Sequence, residues 1–451
     1  MKIVLFGAGS AQFGYGMLGD LFSTKAVRGA EIVLVDINGE ALQVVQRTAD
    51  DLIAKKNLDF HVWSTTDARK ALPGADFVII SIEVGNRFAL WEEDWNIPLR
   101  YGVRQIYGEN GGAGGVFHAL RIIPPIMKIC EQVQELAPVA FVFCYSNPMT
   151  AITAAITRAL PDVKFIGVCH EIASVPRYIP DILGVPMEKL SIRAAGLNHF
   201  SVIVEAAYRD TGKDAYPDLL ERGREFFAQE PGFSEILEHV RRTGEIPHTE
   251  GSADRLSPEV EQIRAWSDRW LFKRFMDWFH LMPITVDSHM GEYVPWTFDV
   301  ADHRGIQDFY AFYKQALSKV EPKIGDVIHE LAGYMIAGIV ENSGYEEPAV
   351  NILNDNLIPD LPAWLPVEVP ARVTSSGFEG IRFPHYPKGF GALLRNYVGV
   401  YDMIAEAVIH SSREYALQAL LVNPVVTEAS RLESLLDTVI SSQRQWLSYL
   451  Q

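Results

Sequence analysis

Residues 2–9, KIVLFGAG, restrict the fold of this chain more than any other stretch. A run rich in β-branched residues that stops at two glycines is typical of a buried parallel strand that turns directly into a helix. The stretch AQFGYGMLGDLFSTK that follows has apolar residues at helical spacing, and AEIVLVDIN predicts a second strand. A strand, a helix and another strand form a βαβ unit, which requires a parallel sheet covered by helices.

The alternation continues through the first part of the chain. Helices are predicted over GEALQVVQRTADDLIAKK, which is amphipathic, and over TAAITRAL. Four more strands are predicted, in FHVWSTTD, GADFVIISI, APVAFVFCYSNPM and VKFIGVCHEI. The sequence therefore predicts an α/β protein whose N-terminal domain, residues 1–195, is a Rossmann-like, doubly wound parallel sheet.

The rhythm of strands and helices changes after this point. LNHFSVIVEAAYRD predicts strand, whereas SPEVEQIRAWSDRWLFKRFMDWFHLM and ALLRNYVGVYDMIAEAVIHSSREYALQALLV predict long helical stretches. We expect residues 196–451 to form a second, mostly helical α+β domain.

The glycine turn after the first strand predicts a dinucleotide site. Gly7, Gly9 and Ser10 would let the backbone approach a pyrophosphate at the start of a helix. Asp36 ends the second strand, where an acid binds the ribose 2′-hydroxyl of NAD and repels the 2′-phosphate of NADP. Glu83, in SIEVGN after the fourth strand, is expected on the nicotinamide side of the cofactor. The alternative is a tight turn in an α/β protein without a cofactor.

Several polar side chains follow predicted strands. They are Asn147, Cys169, His170, Asn198 and His199. Because ligands of open α/β sheets collect at the carboxyl ends of strands, these side chains could converge on one crevice. Thiolate and imidazole can hold a divalent transition metal, which makes Cys169 and His199 a candidate pair. Each has an ordinary alternative, since a single Cys is often a small core residue and a single His is often hydrogen-bonded within the core.

Charge and cysteine content limit the partners and the compartment. A net charge of −17 argues against nucleic-acid and anionic-membrane partners, because both require a basic face. Three cysteines are too few for a disulfide framework in a chain of this length, which favours a reducing cytoplasm. MKIVLF lacks a signal-peptide cleavage site, and no run of apolar residues is long enough for a membrane span.

Together these motifs resemble glycoside hydrolase family 4, the NAD- and Mn-dependent glycosidases. The resemblance spans nearly the whole chain in family order. It rests on GAGS (7–10), GENGGAGG (108–115), NPM (147–149), CHE (169–171), GLNHF (196–200), DSHMGEYVPW (287–296), VNILNDNLIPDLP (350–362), VEVPARV (367–373) and ALLRNYVGVYDMIAEA (392–407).

The resemblance implies a role for each candidate residue. Cys169 and His199 would bind Mn²⁺ or another divalent transition metal, and NAD would contact Gly7, Gly9, Ser10, Asp36, Glu83 and Asn147. The sugar would contact Asn147, His170, Asn198 and Glu109, of which His170 and Glu109 are also candidate catalytic residues. Asp287 falls where relatives carry the catalytic base. The C-terminal domain would bind substrate and metal and assemble the oligomer, a homodimer or homotetramer.

The resemblance also implies a route to hydrolysis that is unusual for glycosidases. The sugar is oxidised at C3 by NAD, a base removes the C2 proton that has become acidic, and the aglycone leaves C1 by elimination. Water then adds and the hydride returns, so that no net oxidation occurs.

The substrate is expected to be a small α-glycoside. CHE resembles the α-galacturonidase subgroup, which favours a uronide, with Arg87, Arg100 or Arg104 as the cation for its carboxylate. DSH at 287–289 departs from the DRH of that subgroup, and EYVPW is closer to neutral α-glucosidases and α-galactosidases. These neutral activities and α-glucuronidase are therefore alternatives. Two other classes are a lactate/malate-type NAD dehydrogenase, which needs no thiolate-bound metal, and a non-catalytic NAD-binding protein.

Overall fold

A computed structural model describes residues 1–10, 13–169, 171–229, 233–243, 270–317, 323–325 and 331–450. The strands are β1 Lys2–Phe6, β2 Glu31–Val35, β3 His61–Thr65, β4 Phe77–Ile80, β5 Phe141–Cys144, β6 Lys164–Gly167, β7 Leu190–Leu197, β8 Phe200–Tyr208, β9 Glu346–Leu353, β10 Pro366–Thr374 and β11 Gly377–Gly380.

The α-helices within the same residues are α1 Phe13–Ser23, α2 Gly39–Lys56, α3 Ala68–Ala71, α4 Arg87–Arg100, α5 Gly112–Leu136, α6 Met149–Ala159, α7 Ile179–Leu183, α8 Tyr216–Gln229, α9 Phe233–Thr243, α10 Trp270–Trp278, α11 Asp287–Gly291, α12 His303–Leu317, α13 Ala332–Glu341, α14 Lys388–Arg395, α15 Val398–Ile409, α16 Arg413–Leu421, α17 Leu432–Ser442 and α18 Arg444–Leu447. No helix of the described residues is long and apolar enough to cross a membrane.

The first six strands form a parallel sheet in the order β3-β2-β1-β4-β5-β6. The central strands are buried along their length, because helices cover both faces of a parallel sheet. The order reverses between β1 and β4, which creates a crevice at the carboxyl ends of the strands. The predicted α/β class and the six predicted N-terminal strands are confirmed.

The sheet continues into the C-terminal part of the chain. β9 pairs antiparallel with β6 through Gly167 and Asn351, and β10, β7 and β8 follow in that order, all antiparallel. Sequence patterns do not reveal this extension, because β9 and β10 lie far along the chain from the strands that they join. The boundary at residues 195/196 stays a prediction, although one sheet crosses it.

Where the structure describes them, the long helical stretches predicted for the second half end earlier or are interrupted. The stretch at 257–282 contains α10, while its residues up to 269 lie outside the described residues. The stretch at 392–422 lies within three helices, α14, α15 and α16, separated at Asn396–Tyr397 and at His410–Ser412. Ser411 has a positive φ of 52°, which a helix cannot accommodate, and α16 begins directly after it with Ser412 as its N-cap.

Candidate active site

A cavity of about 490 Å³ lies at the carboxyl ends of β4, β5 and β6. The strand ends contribute Ser81, Tyr145, Asn147, Val168 and Cys169, and the β7–β8 turn contributes His199. The remaining wall comes from the rest of the chain, through Phe13, Arg87, Trp91, Tyr107, Glu109, Met149, Glu171, Ser174, Ile284, Thr285, Val286, Ser288, His289, Phe309 and Tyr313. The sheet thus collects its polar side chains where the parallel topology predicts.

The glycine turn after β1 leaves no room for side chains. Gly7 has a φ of +82°, and a Cβ there would lie 1.8 Å from the carbonyl oxygen of Ser81. A Cβ at Gly9 would lie 2.9 Å from Asp36 Oδ2, which instead accepts a hydrogen bond from the Gly9 N–H at 2.9 Å. The turn therefore exposes backbone beside the carboxylate of Asp36, as a site for a pyrophosphate and a ribose requires.

The dinucleotide motif G-x-G-x-x-G would have its third glycine at position 12, where this sequence has Gln, and Gly14 takes its place. A Cβ at Gly14 would lie 2.1 Å from the carbonyl oxygen of Ala8, so that only glycine allows α1 to pack this closely. Ser10 Oγ accepts a hydrogen bond from the Phe13 N–H and caps the start of the same helix. In GAGSAQFG the third glycine therefore stands two positions later than in the standard G-x-G-x-x-G pattern.

Cys169 lines the cavity just beyond the end of β6. Burial raises the pKa of the Cys169 thiol well above its usual value, and the carboxylates of Glu368 and Glu171 raise it further. The side chain of Asn198 lies within hydrogen-bonding reach and lowers this pKa. A metal cation would supply the positive charge that a thiolate needs at this position.

His199 forms a compact cluster with two residues of the cavity wall. His199 is buried and has a φ of +63° in the tight turn between β7 and β8. Its ring stacks on that of His289 with centroids 4.2 Å apart, and its Nε2 lies 3.6 Å from Glu171 Oε1. One ligand atom each from Glu171, His199 and His289 lies within 4.8 Å of the others, which suits a metal ion.

His289 lies between two carboxylates. Its Nδ1 contacts Glu171 Oε1, and its Nε2 lies 3.4 Å from Glu109 Oε2. Burial opposes the charge of His289, but Glu171 and Glu109 outweigh it and raise the pKa of His289 well above its ordinary value. Burial likewise raises the pKa of Glu171, but His199 and His289 outweigh it and lower that pKa to about 2.

Glu109 is buried and paired with Arg87. The guanidinium Nη2 of Arg87 lies 2.9 Å from Glu109 Oε1. Burial raises the pKa of Glu109, but His289 and Arg87 outweigh it and lower the pKa well below the usual range. Glu83 lies behind this pair, 3.6 Å from Arg87 Nε and 3.5 Å from His118 Nε2. The cavity wall therefore carries an ionised Glu109 whose counter-ion is already in place.

Glu292 holds the glycine-rich loop GENGGAGG against the cavity. Its carboxylate accepts hydrogen bonds from three successive backbone N–H groups, those of Glu109 at 2.5 Å, Asn110 at 3.0 Å and Gly111 at 3.1 Å. A Cβ at Gly111 would lie 2.6 Å from the carbonyl oxygen of Glu292. The glycine therefore permits the approach that places Glu109 beside His289.

Asn198 lies behind the cavity wall rather than on it. Its Nδ2 donates to Glu368 Oε2 at 2.8 Å, and Glu368 also accepts from Ser201 Oγ and Asn351 Nδ2. Since Asn198 is buried and precedes His199, this network fixes the turn that presents His199. The contact of Asn198 with the sugar stays a prediction.

Asp287 is not among the residues that line the cavity, and its assignment as the base stays a prediction. It is fully buried, and its Oδ2 accepts a hydrogen bond from the Leu271 N–H at 2.8 Å, in the first turn of α10. Neighbouring residues of a helix point in different directions, and here Ser288 and His289 reach the cavity instead. His170 lies outside the described residues, whereas Asn147 lines the cavity as predicted.

The motifs by themselves implied no primary role for four side chains of this site, although three of the four lie within two of those motifs. Glu171 stood in CHE without a role, His289 and Glu292 stood in DSHMGEY, and Tyr313 lies on α12. Their contacts join residues more than 100 positions apart, such as Glu171 and His289. Only the ionisable nature of Glu171 and its position after a strand could have indicated it.

Two family models match the chain. One, described as family 4 glycosyl hydrolase, matches residues 2–185. The other, described as the family 4 glycosyl hydrolase C-terminal domain, matches residues 194–426.

Individual relatives are similar over the whole length. An alpha-glucosidase of Erwinia rhapontici is 51% identical over 451 residues, which cover 100% of this chain and 99% of the relative. An alpha-galacturonidase of Bacillus subtilis is 26% identical over 447 residues, covering 94% and 93%. The crystal structure of a 6-phospho-alpha-glucosidase from gut microorganisms, in complex with NAD and Mn²⁺, superposes with a TM-score of 0.76 at 20% identity and covers 100% of this chain and 99% of that one.

Proposed function

The chain belongs to family 4 of the glycosyl hydrolases, and on that premise we propose that it is an NAD- and manganese-dependent α-glucosidase acting on a neutral α-glucoside. Membership confirms the resemblance and the assignment as a glycosidase, and it replaces the dehydrogenase and NAD-binding alternatives. The 51% identity to an alpha-glucosidase supports the glucoside. The uronide that the CHE motif favours has weaker support, because the alpha-galacturonidase is 26% identical to this chain.

The ion pair between Arg87 and Glu109 is the observation that carries the choice of a neutral substrate. Arg87 is the only Lys or Arg of the described residues that lines the cavity. Its guanidinium already forms an ion pair with Glu109, at a distance of 2.9 Å. Arg104 pairs with Asp299 instead. A uronate or phosphate would have to displace Glu109 from Arg87, which leaves His289 as the remaining cationic neighbour of that buried carboxylate, and this exchange is costly. A neutral sugar needs no such exchange.

The residues present fit both cofactors. Gly7 and Gly9 offer backbone where a Cβ would clash, which suits the pyrophosphate of NAD, and Asp36 suits its ribose. Cys169, His199 and the nearby carboxylate of Glu171 offer a donor set that suits a divalent transition metal. When bound, NAD supplies a reversible hydride acceptor and the metal supplies Lewis acidity.

The chain's own acid–base groups would then move protons at the sugar. In this proposal His289 and Glu109 perform that role, because both line the cavity and lie 3.4 Å from each other. Arg87 and the Glu292 network orient Glu109. A group that exchanges a substrate proton must come within hydrogen-bonding distance of it, a condition that the buried position of Asp287 does not favour.

The proposed reaction route is oxidation at C3, loss of the C2 proton, elimination of the aglycone, addition of water and reduction. It is tested by turnover in D₂O, where the released sugar should carry deuterium at C2 because the abstracted proton exchanges with solvent. Direct displacement at C1 leaves the C2 hydrogen untouched. Product with only protium at C2 would count against the elimination route.

The substrate is tested with chromogenic α-glucoside, α-galactoside and α-galacturonide in the presence of NAD, Mn²⁺ and a thiol reductant. We expect the α-glucoside to be hydrolysed with the highest kcat/KM, and omission of either cofactor to abolish turnover. A higher kcat/KM for the galacturonide would overturn the neutral assignment. The reductant matters because the thiol of Cys169 must stay reduced, which also suits the predicted cytoplasmic location.

A further inference from the structure

The carboxylate of Glu171 lies beside His199, in the wall of the cavity that Cys169 also lines. We propose that Glu171 is a third protein ligand of the metal. This inference rests on the proposed function, since a metal must bind for Glu171 to be its ligand. It starts from the cluster of Glu171, His199 and His289, whose ligand atoms lie within 4.8 Å of one another beside the cavity.

The spacing between Glu171 and His199 suits two ligands of one ion. Glu171 Oε1 lies 3.6 Å from His199 Nε2. Metal–ligand bonds of about 2.0–2.2 Å put neighbouring ligand atoms of a tetrahedral or octahedral ion roughly 3.0–3.5 Å apart. A shift of a few tenths of an ångström, on the order of ordinary side-chain adjustment, therefore brings both atoms into one coordination shell.

The hydrogen bonds of Glu171 are also those of a metal-binding carboxylate. His289 contacts Oε1, so that the carboxylate is held from one side. Oε2 is buried and has no hydrogen-bond partner of good geometry among the described residues, although the side chain of Thr285 also lies near this carboxylate. Metal-bound carboxylates are generally oriented by a hydrogen bond in this manner, and a buried carboxylate oxygen without a partner is unfavourable. A cation bound by both carboxylate oxygens would satisfy Oε2 and also engage Oε1, the oxygen that lies near His199.

The chemistry of the donor set points the same way. Thiolate and imidazole alone suit soft or borderline ions such as zinc, whereas carboxylate oxygen suits manganese. Adding Glu171 to Cys169 and His199 supplies that oxygen. The thiolate and the carboxylate together also carry the two negative charges that neutralise a divalent cation within a buried site.

The test is titration of Mn²⁺ into the metal-depleted protein, with free Mn²⁺ measured by electron paramagnetic resonance. Glu171→Gln keeps the shape of the side chain but removes its charge and should weaken Mn²⁺ binding by at least about tenfold. Glu109→Gln is the matched control, because Glu109 is also a buried carboxylate facing His289 but lies outside the cluster. It should bind Mn²⁺ much more tightly than Glu171→Gln does.

The outcomes separate this inference from the proposed function. Wild-type affinity in Glu171→Gln, or an equal loss in Glu109→Gln, would overturn the ligand role and leave the proposed function standing. A wild type that binds no Mn²⁺ would overturn both. Glu171→Asp is a second variant, which retains a carboxylate and should recover part of the affinity if Glu171 coordinates the ion. NAD binding by each variant verifies that it is folded.

Discussion

The carboxylate of Asp287 accepts a hydrogen bond from the backbone N–H of Leu271 at 2.8 Å, inside the protein and not among the side chains that line the cavity. This geometry is that of a residue that stabilises the first turn of a helix. We therefore expect Asp287→Asn, which keeps an oxygen acceptor, to retain kcat close to the wild type. Asp287→Ala should lower the stability of the fold by about 1–3 kcal/mol. Thermal unfolding and steady-state kinetics of both variants measure the two effects.

A catalytic base in this position would behave differently. Both substitutions would then lower kcat by about 10²–10⁴-fold while NAD and Mn²⁺ still bind. That result with Asp287→Asn would confirm Asp287 as the base and require its side chain to reach the cavity during turnover.

Asp36 should make the enzyme selective for NAD. Its carboxylate lies beside the glycine turn, bonded to the N–H groups of Gly9 and Asn38 at 2.9 Å. A 2′-phosphate at this position would be repelled by the carboxylate. The wild type should bind NAD more tightly than NADP, and Asp36→Ser should narrow the difference. Equal affinities of the wild type for both dinucleotides, measured by calorimetry, would contradict this role.

Cys169 should be required for metal binding. Cys169→Ser replaces a potential thiolate by a neutral hydroxyl and should weaken Mn²⁺ binding by about 10- to 100-fold or more. Cys130→Ala is the control, since Cys130 is a buried thiol in a hydrophobic cluster. This variant should keep wild-type Mn²⁺ affinity, even where it unfolds at a lower temperature. Unchanged affinity in Cys169→Ser would make Cys169 an ordinary core residue.

Glu292 should affect turnover through the position of Glu109. Glu292→Gln brings an amide that donates hydrogen bonds towards backbone groups that also donate, at Glu109, Asn110 and Gly111. A displaced loop should lower kcat by about 10²-fold, because catalytic groups tolerate little misplacement. Mn²⁺ and NAD affinities should change little. A loss of kcat, Mn²⁺ affinity and NAD affinity together would indicate unfolding of the protein rather than displacement of Glu109.

Glu347→Gln is the matched control for Glu292→Gln. Glu347 also leads to a prediction of its own. It is buried in β9, accepts a hydrogen bond from Tyr345 Oη at 2.9 Å, and is not among the residues that line the cavity. Glu347→Gln should leave kcat unchanged. Burial raises the pKa of Glu347 to about 7, from an ordinary value of 4.5, although Tyr345 opposes the shift.

The pH dependence of stability follows from this raised pKa. Between pH of about 4.5 and 7 the folded state holds a proton on Glu347 that the unfolded state releases, so stability contributed by Glu347 falls as pH rises. The full change is on the order of 3 kcal/mol. The unfolding temperature of the wild type should therefore drop across this window relative to Glu347→Gln. If the difference in unfolding temperature between the wild type and Glu347→Gln does not vary with pH, the pKa of Glu347 is not raised.

Local patterns in the sequence determined the parallel sheet, the glycine turn and the grouping of polar residues at the strand ends. β-Branched runs such as KIVLF and FVII select buried strands through near neighbours, and Gly7 and Gly9 are required by contacts next to a strand. Asn147 and Cys169 reach one cavity because parallel strands end at the same edge of the sheet. These features depend on spacing along the chain.

The tertiary structure alone decided which distant side chains meet. Glu171 contacts His289 and Glu292 binds the backbone of Glu109, in each case across more than a hundred residues. The direction of Asp287 depends on the packing of α10 and α11, since one residue along a helix turns a side chain by about 100°. Such contacts arise from how helices and loops pack against the sheet, and no period or spacing in the sequence encodes that packing.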